Sequence, residues 1–434
     1  MAVRDLEHPL SSPSPLPARI AIVGSGFGGL AAVKALKHCA AEITLIDRTN
    51  HNLFQPLLYQ VATAALSPSD IATATRALLR RQRNVTVIMG DVTGIDTAGR
   101  SILIDGHRPI AFDYLILATG AAYSFFGHDE WASHALVLKT LDDALLIRET
   151  LLTAFERAEV AEDPAEVARL LTFLVVGGGP TGVELAGTIS ELARATLAQD
   201  FRRIDPAAAR IILFEAGDRL LTSFPLASSD YALQALASLG VTVRLGAPVD
   251  RIDETGLHAG GEHVAAAAIL WCAGTKARPA AHWLGAAAAG NGSVIVGAQC
   301  DVPGHRDIFA IGDVASMTGS DGKPLPGLAP VAKQQGHHVG RLIAARIAGK
   351  ADPAPFAYRN LGAMAIIGRS RAIADFGWSR LKGWPAWFAW SMVHLMLLVD
   401  FRSRLTVYVN WAWAWFTFGR GARLLTRRMH DGGD

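Results

Sequence analysis

The sequence predicts an α/β fold with two Rossmann-type units and a separate aromatic C-terminal region, on three observations. A strand, a glycine-rich turn and a helix occur twice, about 150 residues apart. An apolar strand ending in glycine follows each copy. Past Pro355, tryptophan and arginine rise together while acidic residues become scarce.

In chain order, residues 19–23 (RIAIV) read as a short apolar strand, followed by Gly24, Gly26 and Gly29 in GSGFGG and by an apolar helix over 30–38. Residues 43–46 give the next strand, which ends in Asp47. The second copy runs from a strand over 171–176 through Gly177, Gly179 and Gly182 in GGGPTG to a helix over 183–197. Its following strand, 211–214, ends in Glu215. Strands over 113–118 and 268–271, ending in Thr119-Gly120 and in Cys272-Ala273-Gly274, close the two units. A late strand over 308–311, running into Gly312 and Asp313, is expected to return the chain to the first unit. The expected order is a disordered Pro/Ser-rich lead-in over 1–18, a first unit over 19–139 and 276–350, a second unit over 140–275 inserted within it, and a C-terminal region over 351–434.

A chain of 434 residues supplies more than one core. Its 41 basic and 39 acidic residues nearly cancel, so net charge gives no support to a nucleic-acid partner. Cys39, Cys272 and Cys300 are far apart, with no C-x-x-C pair and no histidine cluster at zinc-ligand spacing, so no metal site and no dithiol mechanism are expected. All three cysteines read as small buried hydrophobes. The N-terminus lacks the apolar core of an export signal, and no run reaches the ~18 apolar residues of a spanning helix.

The glycine spacing carries the chemistry. In a strand-turn-helix, the first glycine allows the tight turn, the second lets backbone approach a pyrophosphate and the third lets helix pack on strand, with the phosphates at the positive helix N-terminus. One such motif is weak evidence, whereas two in the same context, each followed by an acidic strand end, point to two dinucleotides. Asp47 and Glu215 are the candidate ribose clamps, and a carboxylate at 215 would repel a 2′-phosphate, favouring NADH over NADPH. The polar stretch 198–210 accounts for the long spacing from Gly177 to Glu215. Glu184, early in the second helix, is either a first-turn charge or a group touching the nicotinamide end.

With these residues in view, the chain resembles the type II NADH dehydrogenases, single-subunit NADH:quinone oxidoreductases that do not pump protons. Besides the glycine motifs, the likeness is carried by DRTNHNLFQPLLYQ over 47–60, ATG over 118–120, WCAG over 271–274, IGD over 311–313 and LAPVAKQQG over 328–336, and it covers nearly the whole chain. It implies a two-dinucleotide flavoprotein fold. FAD is then expected at Gly24, Gly26, Phe27, Gly28, Gly29, Asp47, Arg48, Val92, Ala118, Thr119, Gly120, Asp313 and Ala329. NADH is expected at Gly177, Gly179, Pro180, Thr181, Gly182, Glu184, Glu215, Ala273 and Gly274, and quinone at Gln60, Pro330 and Gln334. Glu184 and Gln334 are the catalytic candidates. The resemblance would place Asp313 on the FAD ribityl chain and make residues 329–336 the wall between flavin and quinone. The family often has a second glutamine where this chain has Pro330.

From Trp384 to Phe418 the chain is apolar and rich in tryptophan, interrupted by Asp400, Arg402 and Arg404. A helix over 405–418 would span ~21 Å, short of a ~30 Å hydrocarbon core, so this amphipathic region is expected to lie on a bilayer. The arginines at 402, 404, 420, 423, 427 and 428 would meet lipid phosphates on the cytoplasmic face. Packing on the core, or a homodimer contact, is the competing use of the same residues. The expected reaction is FAD-dependent NADH oxidation coupled to two-electron quinone reduction, and the sequence offers no evident acid for protonating the quinone. The alternatives are an NAD(H)-binding flavoprotein that acts as a redox sensor or interaction protein, and a ferredoxin-type reductase.

Overall fold

The computed structural model describes residues 17–417 and 421–425. All but the last two residues of the expected lead-in lie outside that range, as do Phe418 and the arginines at 420, 427 and 428. Two sheets organise the chain. The first has six strands in the order Asp301–Val302, His305–Ala310, Tyr114–Leu117, Ala18–Val23, Ala41–Asp47 and Val85–Met89; all neighbours are parallel except the first pair. The second has five parallel strands in the order Leu136–Val137, Ala268–Trp271, Thr172–Val176, Arg210–Phe214 and Val241–Arg244. The late strand joins the first sheet, as its glycine-acid ending suggested, pairing Phe309 with Ile116.

Parallel strands need both faces covered, which is why these segments are continuous apolar runs. Ile20, Ile22, Leu45 and Leu115 are buried in the first sheet, and Phe173, Val175, Leu213 and Leu270 in the second. Each such side chain contributes ~1.5–3 kcal/mol relative to exposure. The first glycine-loop helix, Phe27–Ala35, starts and ends three residues before the predicted span. The second, Pro180–Glu191, begins at its loop proline, whose fixed φ suits a first helical position, and continues through a wider turn at Leu192–Thr196.

The covers on these helices differ. Phe27–Ala35 packs against Ala329–Ile347 so closely that a Cβ on Gly336 would lie 2.1 Å from the Gly28 carbonyl oxygen. Pro180–Glu191 packs on the strand Ala363–Gly368, where a Cβ on Gly187 would lie 1.7 Å from the Ile367 oxygen. That strand belongs to a three-stranded antiparallel sheet with Arg371–Asp375 and Arg380–Lys382, which the sequence reading did not anticipate. Two helices follow, Trp384–Leu397 and Phe401–Thr417. The second begins four residues before the predicted start, because Arg402 and Arg404 are tolerated on its exposed face rather than interrupting it. At 17 residues it is ~25 Å long, and no described helix is long and apolar enough to cross a membrane.

Candidate functional site

The two glycine loops are built alike, and backbone geometry explains their residues. Gly24 and Gly177 have φ of +103° and +108°, a region that favours glycine, and each donates its N–H to the end of the next strand, at Ile46 and Phe214. A Cβ on Gly29 would lie 1.8 Å from the Gly24 oxygen, and one on Gly182 would lie 1.9 Å from the Gly177 oxygen. At Gly26 and Gly179 a Cβ would meet nothing, so the loop faces are open there. The acidic strand ends clasp the loops: Ser25 N–H donates to Asp47 at 2.6 Å, and Gly178 N–H donates to Glu215 at 2.5 Å. The second oxygen of Asp47 accepts from Thr49 N–H and hydroxyl, and that of Glu215 accepts from Gly217 N–H.

The loops differ in what they face. A single cavity of about 2300 Å³ runs along the first loop, larger than the ~300–1,000 Å³ of a pocket for one small ligand. Of the residues expected at FAD, Gly24, Gly26, Phe27, Gly28, Asp47, Arg48, Val92, Ala118, Thr119, Gly120, Asp313 and Ala329 all line it. Of the residues expected at NADH, Pro180, Thr181 and Glu184 reach it, joined from the second unit by Thr140, Leu141, Asp142, Ser223 and Phe224, and Pro330 and Gln334 complete the wall. Gly29, Gly177, Gly179, Gly182, Glu215, Ala273 and Gly274 do not line it. Gly29 and Gly182 are spent on helix-loop packing, while Gly177 lies against Ala273 on the separate second loop, within 3.0 Å of its nitrogen by a built Cβ.

Glu184 is not a helix cap. It sits in the second turn, lines the cavity and accepts the backbone N–H of Ile366, and burial pushes its carboxyl up to about 8 despite that bond. Gln334 is held in a reciprocal pair with Arg359, donating to its carbonyl at 2.9 Å and accepting its N–H at 3.0 Å. One step round the helix, the buried Gln335 accepts the Gly312 N–H at 2.7 Å and so fixes the turn that presents Asp313. Lys139 lies 3.9 Å from that carboxylate. Gln335 was missed, although two adjacent glutamines on one helix point about 100° apart and a buried amide requires a partner.

Gln60 is a correction. It is buried away from the cavity, donating to the Tyr59 hydroxyl at 2.9 Å and accepting Trp411 Nε1–H at 2.8 Å, so its amide ties the C-terminal helix to the first unit instead of facing a ligand. The cavity also holds basic side chains that sequence reasoning did not single out. Burial lowers Arg278, reinforced by nearby Arg48, and burial with Lys333 lowers both Lys34 and His337. His394 lines the cavity from the helix Trp384–Leu397, stacked on Trp390 at 4.2 Å with its Nδ1 2.8 Å from the Trp390 carbonyl; burial holds it down to about 4. Only Cys300 is fully buried, while Cys39 and Cys272 are half-buried. Burial raises all three thiols, Cys272 up to about 12 with Glu184 adding to the effect, so none is a reactive thiolate.

The cavity wall also carries Val393, Met396 and Leu397, each more than a third exposed, which give it an apolar mouth. Trp384, Phe388, Met396, Phe401, Tyr408, Trp413 and Phe416, all more than half exposed, continue this face along both C-terminal helices. Trp390 and Val407 point inward, so packing on the core and an exposed aromatic face are both present. Arg404 donates to the Leu398 carbonyl and Arg423 pairs with Asp200, so these two of the expected lipid-facing arginines are engaged within the protein.

Comparison with known proteins gives three findings. The pyridine nucleotide-disulphide oxidoreductase family model matches residues 18–336, and the NDH2 C-terminal domain model matches residues 360–421. Two Mycobacterium tuberculosis proteins, the type II NADH:quinone oxidoreductases NdhA and Ndh, are 42% and 40% identical, covering 95% and 97% of this chain and 90% and 92% of their own. The structure of NDH2 from Plasmodium falciparum in complex with NADH has a TM-score of 0.86 over 93% of this chain and 99% of that one, at 20% identity.

Proposed function

The chain belongs to the type II NADH:quinone oxidoreductase family, and we propose that its central cavity is where NADH and a membrane quinone meet one FAD. The observation that carries this reading is a single cavity lined by the first phosphate loop, by Glu184 of the second unit, by Gln334 and by an apolar mouth. The chain oxidises NADH and reduces quinone, as its family does. FAD fits the residues present: the buried Thr119 hydroxyl on the cavity wall lacks a hydrogen-bond partner among the described residues, the Gly26 face is open, and Arg48 and Arg278 lie in electrostatic range of each other for a pyrophosphate. When bound, FAD would take a hydride from the nicotinamide and pass the electron pair to the quinone without proton pumping.

The protein's own part is to orient and to manage protons. Asp47 and Glu215 hold the loops and retain lone pairs for ribose hydroxyls, and Glu215 disfavours a 2′-phosphate. Glu184 keeps a proton on its carboxyl at neutral pH inside the cavity. Gln334 fixes the quinone end through Arg359, and Pro330 makes that end less polar than in relatives with a second glutamine. In this reading residues 19–139 and 276–350 serve FAD, 140–275 serve NADH, and 351–434 rest on the lipid surface at the cytoplasmic face, with a homodimer as the competing use of that surface. The exposed aromatic face beside the apolar mouth supports lipid contact.

The test is anaerobic mixing of purified protein with NADH and a soluble quinone. Sustained turnover with a bleaching and returning yellow colour is expected, faster with NADH than with NADPH. Colourless protein, or bleaching without turnover, overturns the proposal and favours a sensor.

A further inference from the structure

Away from the cavity, three short strands bring together Asp253, His258 and His263, and the H-x4-H spacing of the two histidines is one that zinc ligands use, a signal the sequence reading passed over. Val249–Asp253, Gly256–Ala259 and Glu262–Val264 form an antiparallel sheet in which His258 and His263 stand directly opposite each other. Asp253 reaches the same end of the sheet, and one ligand-capable atom from each of the three residues lies within 4.8 Å of the others. His258 Nε2 is 3.4 Å from Asp253 Oδ2, and the two imidazole rings are 4.5 Å apart between centroids.

The carboxylate is oriented before any ligand arrives. Its Oδ1 accepts Thr255 N–H at 2.9 Å and the Thr255 hydroxyl at 2.5 Å, and these bonds, with Arg251, hold Asp253 well below the usual carboxylate range. Oδ2 is shut off from solvent and takes no hydrogen bond of normal geometry, although the Arg251 guanidinium lies 2.7 Å away as an ion pair. That arginine is 68% exposed, and an exposed pair of this kind is worth at most ~1 kcal/mol, so it is readily displaced.

Two imidazoles and one carboxylate are a donor set suited to zinc and its neighbours. Metal-ligand bonds of ~2.0–2.2 Å at tetrahedral angles place ligand atoms ~3.3–3.6 Å apart, a separation that His258 and Asp253 already have. His263 is exposed, and its Nε2 lies 3.1 Å from the Thr255 hydroxyl, a contact that the ring exchanges for the ion as it rotates to close the remaining gap. We propose that Asp253, His258 and His263 bind one divalent transition-metal ion of the zinc class, with Arg251 swinging out into solvent. Thr255 serves as the outer partner that aims the carboxylate.

The place of the sheet gives the site its consequence. Directly before the first of these strands, Gly246 N–H bonds the Gly217 carbonyl at 2.8 Å and Ala247 N–H bonds the Glu215 carbonyl at 3.0 Å. A bound ion would therefore pin the sheet that abuts the ribose-clamp turn of the second unit, far in role from the flavin side.

Calorimetric titration of the untagged full chain with Zn2+ tests the site. One site per chain is expected, absent in H258Q and at least ~10-fold weaker in H263Q, since losing a ligand exceeds the loss of its outer partner. R251Q should tighten binding. Unchanged NADH oxidation and an unchanged circular-dichroism melt would show that the variants fold. Equal zinc binding by the H258Q/H263Q double variant, no stoichiometric uptake by the original chain, or weaker binding in R251Q would each overturn the proposal.

Discussion

The two glycine loops share one backbone plan, yet the first lies along the cavity with Gly24, Gly26 and Gly28, whereas the second reaches it through Pro180 and Thr181 alone. Each has a left-handed first glycine, an impossible Cβ at its last glycine, a carboxylate clasp on the second residue, and a closing strand whose end donates back, from Ala118 to Val23 and from Cys272 to Val176. The difference lies in the cover over each helix: Ala329–Ile347 over the first, which carries Gln334 and Gln335, and the C-terminal strand Ala363–Gly368 over the second, which donates to Glu184. Local sequence sets the cradle, and distant sequence decides what the cradle serves.

Paired substitutions test that lesson with the largest expected effect. Gly29→Val should give colourless protein, with NADH oxidation lower by ~100-fold or more, because displacing a cradle by even an ångström has that cost. Gly182→Val should keep its flavin and instead raise the KM for NADH. Flavin content per chain and NADH saturation curves check both, and loss of flavin from both variants would break the distinction between the loops.

Glu184 sharpens it next. The folded chain holds this proton up to pH about 8, whereas the unfolded chain releases it near the ordinary carboxylate value. Between those limits the folded state binds more protons, so stability is highest below the window and falls as pH rises through it. Glu184→Gln should flatten that slope and remove the limb near pH 8 from the rate profile. His394 has the opposite sign: its folded value lies near 4, so its contribution is lost as pH falls from the ordinary histidine value to about 4. Melting curves over pH separate the two effects.

Legibility in the sequence follows the same division. The strands, the loops and the acidic strand ends at Asp47 and Glu215 were readable because each is a local pattern, whereas the bonds those carboxylates make to the loops were not foreseen. Gln60 was misjudged because its partner, Trp411, lies 351 residues away, and no local feature marks that contact. His394 was hidden in an apolar run and Gln335 behind its neighbour, since which face of a helix meets a cavity depends on packing between remote segments. The C-terminal sheet escaped for a similar reason: its strands are short and mean little until the second glycine-loop helix lies against them.

The Gln60 contact offers an intermediate test of local against distant control. Trp411→Phe leaves the Gln60 carbonyl buried without its donor, which should cost ~1–3 kcal/mol in chemical denaturation. Gln60→Leu should lose stability comparably while the KM for a soluble quinone stays within about twofold, since this side chain is off the cavity wall. A large rise in that KM with stability intact would return Gln60 to the quinone site.

The smallest expected effect probes the bases of the two units, where each closing strand begins. In the first, Arg19 pairs at 2.8 Å with Asp113, which also accepts the Arg19 backbone N–H. In the second, Arg169 pairs with Glu166 at 2.7 Å and in addition donates to the Ala266 carbonyl at 3.1 Å. The first ion pair is about half exposed and the second about a third, so Arg19→Ala and Arg169→Ala should each cost only ~0.2–1 kcal/mol. Salt distinguishes them. Ionic screening should erase most of the Arg19 effect, whose backbone bond survives the substitution, while Arg169→Ala keeps the part due to its lost bond to a neutral carbonyl. Denaturation at low and high salt measures both residuals. Equal residuals would mean that the two bases, like the two loops above them, are interchangeable in isolation.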